Sequence, residues 1–214
     1  MFNGFENENF YLTGSLSSII DPEKHRNDCF TQFLDMQNME PSELVSNITP
    51  DCLFGKFCMK KFLHVVHPRM EESFFGNLEH RDQIAKGLHP KSQFYSLFLK
   101  FAKSVWLVHR LAFSFAPPVS IFHVKRGVDF HDSYMDSLNS VNMNHDVANN
   151  VATEGNTQEH PEKQNPTIIG FTVMPGFRVG KKAIVKCQVY VMTATTGPTS
   201  NAFDKLSAPS LEDL

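Results

Sequence analysis

The chain has 214 residues, a formal net charge of −3, 20 Phe against four Tyr and one Trp, and four scattered Cys. That length predicts one domain, at most two, with enough chain to bury a sizeable core. No stretch approaches the ~20 apolar residues of a membrane span, and the opening Met1-Phe2-Asn3-Gly4 has neither the positive start nor the apolar run of a secretory leader, so a soluble, non-secreted protein is expected. Cys29, Cys52, Cys58 and Cys187 form no Cys-x-x-Cys and read as free, mostly buried thiols. The sequon at Asn47 is followed by Pro50 and reads as chance.

Residues 1–20 are polar, with Gly4 and Gly14, and predict a mobile lead-in. Asp21-Pro22-Glu23 supplies a cap acceptor, a proline for the first helical position and an acid for the first turn. The helix it starts carries a narrow apolar stripe of Cys29, Phe30, Phe33 and Leu34 and ends before Pro41, with a short turn at Ser42 to Val45. Thr49 or Asp51 can cap the next helix, where Phe54, Phe57, Cys58, Phe62, Val65 and Val66 recur at three- and four-residue steps. Pro68 disfavours helix at His67, and a short helix from Arg69 to Phe75 is closed by Gly76-Asn77. Ser92 caps the longest predicted helix, Gln93 to Phe113. Its apolar residues cover most of its circumference, which requires protein on nearly all sides, so it is expected at the centre.

Pro117-Pro118 stops that helix, Val119 to Lys125 has the composition of a strand, and a short helix is expected from His131 to Leu138. The stretch 139–166 holds seven Asn and no Phe, Trp, Tyr, Ile or Leu, too little apolar surface to offset ordering entropy, and is read as a disordered insert. Ile168 to Val173, Pro175-Gly176 and Ala183 to Met192 read as a β-hairpin with a long loop. The predicted class is α+β, mainly helical. A Phe-rich helical body over 21–138, with one strand at 119–125, carries a small antiparallel sheet made of the 167–192 hairpin, packing on the body, and that strand. The 193–214 tail is expected to be disordered.

Charge is segregated. Residues 51–135 hold 12 Lys and Arg against seven Asp and Glu, and 167–192 adds Arg178, Lys181, Lys182 and Lys186 with no acid. The two blocks carry +9 and the remainder −12. Those four hairpin cations are the candidate binding residues, an anion-seeking surface for an acidic or phosphorylated protein or for anionic lipid headgroups. Nucleic acid is not expected, because no reader motif accompanies them.

The constellations that suggest catalysis or metal binding fail on spacing. Cys58, His64 and His67 are zinc-ligand types, but a fourth ligand has no source. Asp129, His131, Asp132 and Ser133 have triad chemistry without the spatial anchors of a triad. Glu71-Glu72 are sequence neighbours, which point apart on a helix. Gly176 to Lys181 misses the phosphate-loop spacing and its Ser or Thr. No catalytic residue, metal, cofactor or small-molecule substrate is predicted.

Several blocks carry a resemblance: Met1 to Phe10; Phe57 to Leu78, with Val66-His67-Pro68-Arg69-Met70-Glu71-Glu72-Ser73-Phe74-Phe75-Gly76 at its heart; Val105 to Ser114; Ile121 to Lys125; Tyr134-Met135; and the hairpin, with Gly170 to Gly180 and Val185 to Tyr190. Together they resemble the C-terminal region of the plant gravitropic-in-the-light and IRK-interacting protein family. The resemblance implies a non-enzymatic signalling adaptor in light-modulated (red or far-red) gravitropic growth, or a binder of a leucine-rich-repeat receptor-like kinase. It offers no catalytic residue to carry over. The family has an upstream coiled-coil-prone half, so a truncated member is expected. The expected compartment is the cytoplasm, including the inner face of the plasma membrane, with the nucleus open. The alternative function is a peripheral membrane module that binds anionic lipid through the basic hairpin and a Lys60-Lys61 face.

Overall fold

A computed structural model describes residues 1–14, 16–46, 52–139 and 167–193. In chain order its elements are α1 (Ser17–Ile20), α2 (Pro22–Gln37), α3 (Pro41–Ser46), α4 (Leu53–Val65), α5 (Pro68–Phe75), α6 (Glu79–Ala85), α7 (Gln93–Phe113), β1 (Ser120–Phe122), β2 (Met135–Ser137), β3 (Thr167–Met174), β4 (Gly176–Val179), β5 (Lys182–Val185) and β6 (Cys187–Thr193). The class is α+β and mainly helical, as the sequence predicts. The described residues fall into two compact units, those of Met1–Phe122 with Gly176–Val185, and those of His123–Pro175 with those from Lys186 onward. Among the described residues no helix is long and apolar enough to cross a membrane.

The first unit is organised by α7. Ser92 Oγ accepts from the Tyr95 amide at 3.1 Å and so caps the helix. Its buried side holds Tyr95, Phe98, Leu99, Ala102, Val105, Trp106, His109, Arg110 and Ala112, against which α2, α3 and α4 pack. Phe57 lies 5.1 Å from Trp106 and Phe62 stands perpendicular to Phe98 at 5.2 Å, the edge-on geometry that ring quadrupoles favour. The expectation of protein on nearly every side is corrected on one stripe. Leu97, Phe101 and Val108, four and seven residues apart, are exposed together.

α2 begins as predicted, with Asp21 accepting from the Lys24 amide at 3.0 Å. α4 has its N-cap position at Cys52. The two caps suggested for it, Thr49 and Asp51, lie outside the described residues. His67 does not end α4. It starts α5, where Nδ1 accepts from the Arg69 amide at 3.2 Å.

The first residues depart most from the sequence expectation. Where a mobile lead-in is predicted over 1–20, Phe5 and Phe10 are core residues and residues 17–20 form α1. Phe10 lies 4.6 Å from Phe57 and stacks on His109 at 4.1 Å. The turn is wound by Asn7, whose Oδ1 accepts the amides of Asn9 at 3.1 Å and Tyr11 at 2.9 Å. Phe10 and Tyr11 occupy the left-handed region at φ 53 and 56, a conformation non-glycine residues hold only when their surroundings impose it.

The strands form two sheets, where one three-stranded sheet is expected. β1, half as long as predicted, pairs antiparallel with β4, and β4 with β5, giving the order β1-β4-β5 in the first unit. Phe177 and Val179 of β4 pack on the aromatic core. In the second unit β3 pairs antiparallel and β2 parallel with a central β6. Hence the predicted 167–192 hairpin exists as the β3–β6 pair, and its long loop is itself a second hairpin. The buried face of β6 is Cys187, Val189 and Val191; the alternation of Ala183 to Val191 predicts Val185 on the same face, but Val185 ends β5 and is 52% exposed.

The helix expected over His131 to Leu138 is replaced by a turn and then β2. The Cys187 amide donates to the Tyr134 carbonyl at 3.0 Å and that of Leu138 to the Val189 carbonyl at 3.0 Å. Asn139, first of the stretch expected to be disordered, bonds Val191 twice: its Nδ2 donates to the carbonyl at 2.8 Å and its Oδ1 accepts from the amide at 2.9 Å. The rest of that stretch and the tail beyond Thr193 lie outside the described residues.

Candidate functional site

Arg178, Lys181 and Lys182 sit on the β4–β5 hairpin, and Lys186 follows in the second unit. Val179 and Lys182 face each other across a two-residue turn, with Gly180 at φ +57 in its first central position. Glycine takes that conformation without the steric penalty of a Cβ, which is why this sequence closes a tight hairpin here. The turn projects Lys181 and Lys182 into solvent. Arg178 is exposed, and its Nε donates to Ser120 Oγ at 3.2 Å.

None of these three has an ion pair to a carboxylate among the described residues. Lys186 does. Its Nζ lies 3.4 Å from Asp136 Oδ1 on β2, an exposed pair that the sequence, with no acid between 167 and 192, gives no sign of. The four-cation set therefore divides into three uncompensated charges and one neutralised one.

Lys60 and Lys61 also separate. Lys60 is exposed, while Lys61 is 5 % exposed, donates to the Asn3 carbonyl and lies 4.9 Å from the Phe10 ring. Burial and then the neighbouring Lys60 push its pKa down. It holds the N-terminal turn in place and presents no charge to a partner.

The zinc-type residues are not gathered. Cys58 is in the core, His64 is exposed on α4 and His67 caps α5. All four cysteines are free thiols. Among the described residues no group of three or more His, Cys, Asp and Glu is arranged to hold a metal ion. Asp129 bridges Ile168, and His131 stacks on Tyr134 at 5.4 Å. Glu71 is fully buried and Glu72 exposed, so the two carboxylates point to different sides of α5.

Triad residue types do meet at a place the sequence did not single out. His80 Nε2 lies 2.7 Å from Ser92 Oγ, and His80 Nδ1 lies 3.8 Å from Glu71 Oε1, beside a cavity of about 590 Å³ lined by Glu79, His80, Gln83, His89, Lys91 and Ser92 among others. The geometry is that of a staple. Ser92 Oγ already accepts the α7 amide, Glu71 is beyond hydrogen-bond reach of the imidazole, and its carboxylate accepts the Arg81 amide at 2.9 Å and pairs with Arg81 Nε at 3.5 Å. α5, α6 and α7 are tied together by this network.

Residues 121–190 match the family model described as GIL1/IRKI C-terminal domain. Over 195 residues, 90% of this chain, the sequence is 45% identical to Protein GRAVITROPIC IN THE LIGHT 1 of Arabidopsis thaliana. Over 192 residues, 88% of the chain, it is 26% identical to IRK-interacting protein of the same plant. These matches cover 32% and 28% of the two relatives, so the chain spans about a third of their length. No solved structure gives a significant match. One relative is named for gravitropism in the light and the other for interaction with IRK, and the matched residues span β1 to β6 nearly end to end. The chain thus resembles the GIL1/IRKI proteins over about nine tenths of its length and matches their C-terminal domain at residues 121–190.

Proposed function

We propose that this chain is a non-enzymatic signalling adaptor whose β4–β5 hairpin binds an acidic or phosphorylated protein partner in the cytoplasm or at the inner face of the plasma membrane. One observation carries the reading: Arg178, Lys181 and Lys182 are exposed together on the β4–β5 hairpin, at or beside its two-residue turn, with no carboxylate partner among the described residues. Guanidinium and ammonium groups so placed gain most from a phosphate or carboxylate supplied from outside. The similarity to an IRK-interacting protein supports the cytoplasmic region of a receptor-like kinase as that partner, and the similarity to GRAVITROPIC IN THE LIGHT 1 supports gravitropic growth as the setting.

The test is binding of the purified chain to the cytoplasmic region of a leucine-rich-repeat receptor-like kinase, phosphorylated and dephosphorylated. Vesicles with and without phosphatidylserine are run in parallel. Reversing Arg178, Lys181 and Lys182 to Glu is expected to weaken kinase binding by about tenfold or more. Unchanged kinase binding would sink the reading. Binding confined to phosphatidylserine vesicles, lost on charge reversal, would transfer the hairpin to the lipid alternative.

A further inference from the structure

The hairpin offers an open backbone edge as well as charge. β5 ends its sheet, whose order is β1-β4-β5, so among the described residues it is paired on one side only. A two-residue turn makes Val179 and Lys182 the hydrogen-bonded closing pair, so the next position, Ala183, directs its N–H and C=O away from β4. Folded proteins usually blunt such an edge with charge, proline or a covering element. Here the lysines lie only at the turn end. β5 has four residues, and the register shift between Phe177 and Arg178 makes Ile184 an extra residue. Regular outward pairing is therefore confined to Ala183, with Ile184 and Val185, 53% and 52% exposed, beside it. Arg178 is drawn toward Ser120, on the β1 side, leaving Lys181 and Lys182 as the cations of this edge.

We infer that the outer edge of β5 takes an extended acidic and apolar segment of a partner protein as an added strand. Its backbone pairs at Ala183, its carboxylates meet Lys181 and Lys182, and its apolar side chains cover Ile184 and Val185. A folded helix or a lipid headgroup would neutralise the lysines but leave the N–H and C=O of the edge without partners. An extended segment satisfies charge, backbone and apolar surface at once. The inference rests on the proposed reading of the hairpin as the binding surface and adds the mode of recognition and the partner's chemistry.

Fluorescence anisotropy on the whole chain tests it, with a labelled peptide that joins a pair of Glu to a pair of Val, two versions N-methylated at alternate amides in opposite registers, and a Lys and Val peptide of the same layout. The Glu and Val peptide is expected to bind. N-methylation in one register should weaken it about tenfold or more and in the other much less, because only one set of amides faces the edge. Lys181→Glu with Lys182→Glu should weaken it comparably, and the Lys and Val peptide should not bind. Equal binding by both N-methylated peptides would overturn strand addition while leaving a charge-driven surface intact. Insensitivity to the lysine reversals would overturn the hairpin reading itself. No binding by any peptide, or binding of the chain only to phosphatidylserine vesicles, would also overturn the inference.

Discussion

His109 Nε2 donates to the carbonyl of Asn7 at 2.8 Å, joining α7 to a turn 102 residues earlier in the chain. Arg110, next along, donates to the Glu8 carbonyl at 2.6 Å while lying 4.4 Å over the Trp106 ring. With Lys61 on Asn3, three basic side chains satisfy carbonyls of a segment that has no strand or helix partner of its own.

The first prediction concerns pH. Burial, and then the neighbouring Arg110 charge, pull the His109 pKa from 6.5 down to about 3. The unfolded chain therefore binds a proton that the folded chain refuses. The associated stability is fully present above pH 6.5 and is lost as pH falls toward 3, at up to about 1.4 kcal/mol per pH unit. His109→Gln keeps a donor for Asn7 and removes the titration. Urea unfolding at pH 7, 6, 5 and 4 should show the wild-type advantage over the variant shrinking with acidification; parallel curves would refute this account.

Phe10→Ala should cost about 3–5 kcal/mol in urea unfolding at neutral pH, as for a large-to-small change in a core, and Phe5→Ala a similar amount. Both side chains are buried, at 2% and 0% exposed. A loosely attached lead-in would show losses within about 0.5 kcal/mol.

Ser92→Ala should cost about 1 kcal/mol through loss of the α7 cap, and Ser92→Asp should recover most of it because Asp caps equally well. Equal loss in both variants would show that the contact with His80, and not the cap, is the main contribution of the hydroxyl.

Gly180→Ala should destabilise by about 1 kcal/mol, since nothing stands within 4 Å of the added methyl and the cost is purely the φ +57 backbone. Thermal unfolding measures it. An unchanged midpoint would mean that the turn relaxes to take the added Cβ without strain.

Local chemistry made much of the helical part legible. Asp21-Pro22 and Ser92 act as the caps their positions announce, and Gln93–Phe113 has the predicted bounds. The strand pairing was less so. Met135 and Leu138 are three apart, which mimics a helical face, and only the presence of β6 alongside turns them into strand and strand end. α6 was missed because Glu79 to Ala85 has a single buried apolar residue, Ile84, and no periodic stripe to find. The candidate cations were visible as a run without acids, but the carboxylate that neutralises Lys186 comes from Asp136, 50 positions away in sequence and adjacent only through β2–β6 pairing.

What the amino-acid order determined by itself is what acts over a few residues: caps, the proline stops, the apolar periodicity of α4 and α7 and the alternation of β6. Tertiary structure alone decided which polar-looking segment joins the core and which cations stay uncompensated. A hydrogen bond such as His109 to Asn7, or an ion pair such as Lys186 to Asp136, forms between groups whose separation along the chain carries no information about their separation in space.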